Sequence, residues 1–108
     1  MRILARAEEL VLLAVYRLNK DAYSVPIRAH LSQITGNDWS FGAIYVPLDR
    51  LEKKGYLMSI LTDPTAERGG RSKRVYKLTN EGSKALLEIK KVEKAIWEGI
   101  SETSLENQ

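Results

Sequence analysis

Near the start of the chain, the run from Arg6 to Leu18 (RAEELVLLAVYRL) carries apolar side chains round almost the whole circumference of any helix it forms. Ala, Leu and Glu favour helix, β-branched residues are scarce, and the two acids that open the run suit the positive end of a helix dipole. Periodicity alone does not separate a buried helix from a strand in so apolar a run, but its length favours helix. A helix apolar on all sides has to lie inside a core, so the rest of the chain is expected to wrap around it.

The punctuation that follows divides the remainder into short elements. Ser24 is placed to cap a second helix, with Pro26 in its first turn, Ile27, Leu31 and Ile34 on one face, and Gly36 at its end. Ser40 is placed to cap a third, flanked by Trp39 and Ile44 at the two positions of a hydrophobic staple. Ile44, Leu48 and Leu51 then recur at helical spacing, and Lys53 and Lys54 meet the last carbonyls before Gly55. Pro47 interrupts this helix, since proline lacks an N–H and clashes with the carbonyl four residues back. Either the helix kinks at Pro47 or it starts after it; the cap and staple lie before the proline and favour the kink. Tyr56 to Leu61 and Lys73 to Leu78 read as strands, and the segment between them, with Pro64 and Gly69-Gly70, reads as a loop. Thr79 caps a last helix to about Gly99, along which Leu86, Ile89, Val92, Ile96 and Ile100 form a coiled-coil-like seam. Residues 101–108 read as a flexible polar tail.

Composition removes whole classes of function. At 44% hydrophobic and 29% charged, the 108 residues suit one folded domain, and no apolar run approaches the length of a membrane span. The N-terminus shows no cleavable signal pattern, so a cytoplasmic location is the default expectation. There is no cysteine and only one histidine, which excludes disulfides, thiol chemistry and thiolate metal sites and disfavours a histidine metal centre or a Ser-His-Asp triad. His30 reads as an exposed helix residue. Glu8 and Glu9 are neighbours that point apart on a helix, and no phosphate-binding glycine loop has the required spacing. The chain is therefore not expected to be an enzyme, and no cofactor or metal is expected.

Charge supplies the positive lead. The net charge is +3, yet Arg68, Arg71, Lys73, Arg74 and Lys77 crowd one stretch without an acid while the rest of the chain carries more acids than bases. A local basic cluster on a slightly acidic body points to a polyanion. The order helix, helix, helix, strand, basic loop, strand, helix is that of a winged helix-turn-helix: mainly α with a small β-hairpin (α+β), plus an added C-terminal helix. Its third helix, about 40–54, should enter the major groove, and its wing, about 62–73, should reach the backbone or the minor groove. Gly69 and Gly70 let the wing backbone approach a duplex closely, and Arg68, Arg71, Lys73 and Arg74 bring the charge. A basic run is more often a solvated face, and it is the winged-helix context that reverses that ranking here.

The stretches RAEELVLLAVY, AYSVPIRAHL, FGAIYVPLDRLEKKGYL and ERGGRSKRVYKLTNEG, in that order over about residues 6–85, resemble the PadR family of transcriptional regulators. With one helix after the wing, the chain resembles the short group of that family. The resemblance implies a homodimer on double-stranded DNA, usually a repressor on a near-palindromic operator. It divides the chain into a winged-helix domain at 1–79, a C-terminal dimerisation helix at 80–100 and the tail. On the recognition helix it points to Ser40, Phe41, Gly42, Ala43, Tyr45 and Val46 as DNA-facing, with Ile44, Leu48 and Leu51 toward the core. The Tyr45 hydroxyl suits a phosphate, although a tyrosine at such a position packs as often as it binds. Arg50 and Lys53 either reach the backbone or pair with Asp49 and Glu52. Few long hydrogen-bonding side chains stand at the reading end, so base readout is expected to be sparse and shape readout larger. The dimer is assigned to Leu86, Ile89, Val92, Ile96, Trp97 and Ile100. Some short members hold flat aromatic drugs between tryptophans at the dimer interface, so a small-molecule effector there is a minority reading. Trp97 falls about one helical turn later than that tryptophan and is read as dimer packing. The competing function is a winged-helix protein-interaction module that does not bind DNA in the cell; the basic GGRSKR loop speaks against it.

Overall fold

Helix α1 (Arg6–Leu18) takes the central place its sequence demands, touching α2 (Ser24–Thr35), α3 (Phe41–Lys53), strand β2 (Arg74–Leu78) and α4 (Asn80–Trp97). The computed structural model describes residues 3–62 and 72–107. Within them, Val11, Leu12, Ala14 and Val15 of α1 are sealed among Ile27, Leu31, Ile44, Leu48, Leu51, Leu57 and Tyr76. Burial is not complete all round, however. Leu13 and Tyr16 are exposed and border an open groove against α4. The fourth side of α1 is therefore apolar without being covered.

The expected helix boundaries hold wherever a cap or a stop sets them. Ser40 Oγ accepts the Ala43 N–H at 3.1 Å at the start of α3, and Gly36 closes α2 in the left-handed conformation. After α3, Gly55 has φ +84° and the Tyr56 N–H returns to the Leu51 carbonyl at 2.9 Å, a reversal that disfavours any residue with a Cβ. Helix α3 runs unbroken from Phe41 through Pro47, so the late start is not realised; Pro47 is buried on the core side of the helix.

Three expectations need correction. Ser24 is the first helical residue of α2 and not its cap; extended Tyr23 holds the cap position without a side-chain bond. The chain there is already held by the Tyr23 N–H to the Asp21 carbonyl and by the Ala22 carbonyl, which accepts the Tyr76 N–H at 2.8 Å. Ile34, expected on the buried face with Ile27 and Leu31, is exposed; it is Ser32 and Thr35 that the last turn of α2 brings against the rest of the chain, both bonded to Trp39. Past α4, where a flexible tail is expected, Glu102–Glu106 form a short exposed helix, α5, whose Ser101 and Ser104 side chains cap each other's backbone N–H groups.

Strand β1 (Leu57–Leu61) pairs antiparallel with β2 in the register Leu57 to Leu78, Ser59 to Tyr76 and Leu61 to Arg74. Those pairs share one face, which turns Leu57 and Tyr76 into the core and leaves Met58 and Ile60 outside. At the wing base Thr79 joins three elements. Its Oγ1 accepts the Gly82 N–H of α4 at 3.0 Å and donates to the Gly55 carbonyl after α3 at 2.6 Å. Thr79→Ala should cost about 1–2 kcal/mol, roughly 4–8 °C in Tm per kcal/mol, and Thr79→Ser should recover most of it. A melt of Thr79→Ala matching the native one would contradict the joint.

Candidate nucleic-acid interface

The connection from α2 to α3 is held by side chains of α2. Arg28 Nε donates to the Trp39 carbonyl and Nη2 to Asp38 at 3.2 Å, and its guanidinium lies 4.9 Å from the centre of the Phe41 ring. Ser32 Oγ accepts the Trp39 backbone N–H at 3.3 Å, and Thr35 Oγ1 accepts the Trp39 indole N–H at 2.9 Å. Trp39 thus does more than staple α3. Arg28 bears on the site through residues 10 and 11 positions away, and no local sequence pattern signals it.

Helix α3 buries Ile44, Pro47, Leu48 and Leu51. That spacing puts Gly42, Val46, Asp49 and Lys53 on the opposite stripe, with Phe41 and Tyr45 on one flank and Ala43 and Arg50 on the other. All eight are exposed. Of the polar groups, Ser40 is committed to its cap, and the Tyr45 hydroxyl donates to Ser24 Oγ at 3.3 Å. Lys53 pairs with Asp49 at 2.9 Å, whereas Arg50 makes no ion pair among the described residues.

The wing base is tied to this helix. Ser59 Oγ donates to Glu52 Oε2 at 2.7 Å and accepts from Arg74 Nη1 at 2.9 Å, so β1, β2 and α3 move together. Lys73 lies at the mouth of the loop, where its N–H meets Thr62 Oγ1 at 3.0 Å and the Thr62 N–H meets its carbonyl at 2.8 Å. Its ammonium sits 4.5 Å from the centre of the Tyr23 ring and donates to the Tyr23 hydroxyl at 3.4 Å, with no carboxylate partner among the described residues. A cation held by a phenol keeps its full charge for an outside anion. Arg68, Gly69, Gly70 and Arg71 lie outside the described residues.

The C-terminal seam divides in two. Leu86 and Ile89 are half-buried against the chain's own core, while Val92, Ile96, Trp97 and Ile100 are exposed. Leu13, Tyr16 and Leu87, absent from the sequence-based interface, line the groove between α1 and α4, a space of about 760 Å³ that also takes in Leu10 and Leu78. Among the described residues no group of three acidic, histidine or cysteine side chains could hold a metal, and no helix is long and apolar enough to cross a membrane.

This arrangement of three helices, hairpin and trailing helix has relatives. Residues 12–88 match the model of the transcriptional regulator PadR-like family. The chain belongs to the PadR family. Its fold is the winged helix of PadR regulators, a family of transcriptional regulators and not of enzymes. A PadR family transcription regulator from hypervirulent Clostridium difficile R20291 is 33% identical over 89% of this chain and 97% of its own, with a TM-score of 0.63. A PadR-like transcription factor from Bacteroides fragilis is 25% identical over 88% of this chain and 89% of its own, with a TM-score of 0.69. RosR of H. salinarum shares the fold at 24% identity, covering 93% of this chain and 83% of its own, with a TM-score of 0.66. No match is found among curated proteins.

Proposed function

We propose that this PadR protein is a repressor that binds double-stranded DNA as a homodimer at a near-palindromic operator, with α3 in the major groove and the wing on the backbone or minor groove. The observation that carries the reading is the link through Glu52, Ser59 and Arg74, which sets an exposed helix face and a basic hairpin in one rigid unit. Such a unit suits a duplex, where phosphate contacts set the register and the helix meets base edges. Ser40, Phe41, Gly42, Ala43, Tyr45, Val46 and Arg50 serve the groove; Lys73 and Arg74, with Arg68, Gly69, Gly70 and Arg71 of the loop, serve the backbone.

The dimer is supported by α4. Every residue from Lys90 to Ile100 is exposed, among them Val92, Ile96, Trp97 and Ile100. A helix with so much uncovered apolar surface fits the α1–α4 groove of a second copy, where Leu13, Tyr16 and Leu87 wait uncovered. Trp97 packs in that interface in this reading.

Selection of randomised duplexes by the purified protein tests the proposal. An enriched palindrome with half-sites about one helical turn apart is the expected result. Binding should fall steeply with salt, and Arg71→Ala and Arg74→Ala should each flatten the salt slope by about one. Uniform binding without an enriched site would overturn the operator reading, and unchanged binding in the double variant would overturn the role of the wing.

A further inference from the structure

Where α2 begins beside the base of the wing, hydrogen-bond donors outnumber acceptors. Lys73 Nζ gives one proton to the Tyr23 hydroxyl at 3.4 Å, and the phenolic proton of Tyr23 finds no acceptor among the described residues. Ser24 Oγ accepts from Tyr45 at 3.3 Å, and its own proton is equally without an acceptor there. Tyr23 holds the cap position with no side-chain bond, so the N–H groups of Ser24 and Val25 are also unpartnered among the described residues.

Tyr76 supplies an independent observation. It is 6% exposed, yet its hydroxyl bonds to none of the described residues. Among them no wholly buried polar side-chain atom lacks a partner, so the hydroxyl is the part of Tyr76 that opens to the surface. Burial and then Glu52 raise its pKa, which keeps the phenol protonated and a donor. The charges of Arg74, Tyr45 and Asp49 also bear on it, which puts the opening between the Tyr45 flank of α3 and the wing base. The acids of the neighbourhood leave these donors unmet: Glu52 is taken by Ser59 and Asp49 by Lys53, and Asp21 makes no ion pair among the described residues. Arg50 stands on the opposite flank of α3 and belongs to the groove.

We infer that Tyr23, Ser24, Lys73 and Tyr76 form a phosphate site for the duplex, in which one backbone phosphate per half-site is held chiefly by uncharged donors. This rests on the DNA-binding reading above, and it names what that reading leaves open, the hold on the backbone beside α3 and apart from the charged loop. With α3 in the major groove, the helix before it crosses the backbone that borders the groove. A phosphate brings several acceptor lone pairs to a place that has donors and no acceptor to spare. Neutral donors fix the register of the protein on the duplex without releasing counterions, so this contact persists at high salt.

Three variants each remove one hydroxyl and no charge: Tyr23→Phe, which keeps the ring beneath Lys73, Ser24→Ala and Tyr76→Phe. Each should bind the selected operator and a random duplex about fivefold more weakly by fluorescence anisotropy, with a native Tm and an unchanged salt slope. Lys73→Met should flatten that slope by about one. Exchanging single phosphates for uncharged methylphosphonates locates the contact. One position per half-site should cost the native protein about tenfold in affinity, and Ser24→Ala and Tyr76→Phe distinctly less. Native affinity in all three hydroxyl variants, with duplex binding intact, would overturn the inference and leave the DNA-binding reading standing. Equal losses in the variants and the native protein at every methylphosphonate position would also overturn it, marking the hydroxyls as structural. Absence of any duplex binding by the native protein would overturn both readings together.

Discussion

Gly82→Ala is expected to destabilise the protein by about 3 kcal/mol, lowering Tm by roughly 12–20 °C. Elsewhere in a helix the same change would stabilise by up to about 1 kcal/mol. Here the added carbon would lie 2.2 Å from the Tyr56 carbonyl oxygen and 3.1 Å from its carbon, both backbone atoms with little freedom to move. That carbonyl already accepts the Thr79 N–H at 3.1 Å, one residue before α4 begins. Relief therefore requires α4 to lift away from the hairpin base, which would also break the Thr79 bridge between Gly55 and Gly82. Thermal melts of Gly82→Ala beside Gly42→Ala, where a Cβ would meet only Ser40 Oγ at 3.9 Å, give an internal contrast, since the two changes are chemically identical and their expected effects on Tm have opposite sign. A Gly82→Ala protein melting with the native one would refute the close approach.

Lys54→Met is the second change with a large expected effect, about 2 kcal/mol. Glu8 is 3% exposed, within the first turn of α1, and its Oε2 accepts from Lys54 Nζ at 2.7 Å across to the end of α3, while its Oε1 accepts the Ala5 N–H at 2.9 Å. Removing the ammonium leaves a buried carboxylate with one hydrogen bond. Removing the acid leaves a lysine that is partly open to solvent and can rehydrate, so Glu8→Gln should cost less. Replacing both by apolar residues of similar volume should come close to neutral.

The same pair sets an acid sensitivity. Burial pushes the Glu8 carboxyl up, but the Lys54 hydrogen bond, the Ala5 N–H and the charges of Lys54 and Arg50 outweigh it and hold the group below its usual value of 4.5. A folded-state pKa below the unfolded one means that the contribution is complete above the unfolded value and is lost as pH falls through the folded value. In Lys54→Met the largest opposing influence is gone and burial dominates, so the folded-state carboxyl rises above its unfolded value, protonation favours the fold, and the variant's deficit should shrink as pH falls. Tm measured from about pH 6 down to about pH 3 should show the gap between the native protein and that variant narrowing toward acid. A gap that stays constant across that range would show that Glu8 does not titrate with folding.

Features that act within a turn or two of the chain could be read from sequence. Ser40 and Thr79 cap because a hydroxyl three residues before a free N–H reaches it whatever surrounds them. Gly36 and Gly55 stop helices because the left-handed turn is a local backbone matter. Ile44, Leu48 and Leu51 are buried as their spacing requires. The features that were not legible join distant residues. Glu8 and Lys54 are 46 positions apart and Tyr45 and Ser24 are 21 apart. The seam on α4 shows the same limit, since its period announces an apolar face but not whether the cover is the chain's own core, as for Leu86 and Ile89, or something else, as for Ile96 and Ile100.

The sequence by itself determined the order of the elements from α1 to α4 and most of their ends, the winged-helix architecture and the basic character of the hairpin, because hydrophobic period, capping and turn chemistry are carried by near neighbours. Only the tertiary structure decided which side of α1 stays uncovered, that Glu8 is a buried partner of Lys54, that Arg28 holds the entry to α3, and which of two helical glycines the fold needs. Those outcomes depend on what other elements bring to a residue across space, and spacing along the chain does not encode it.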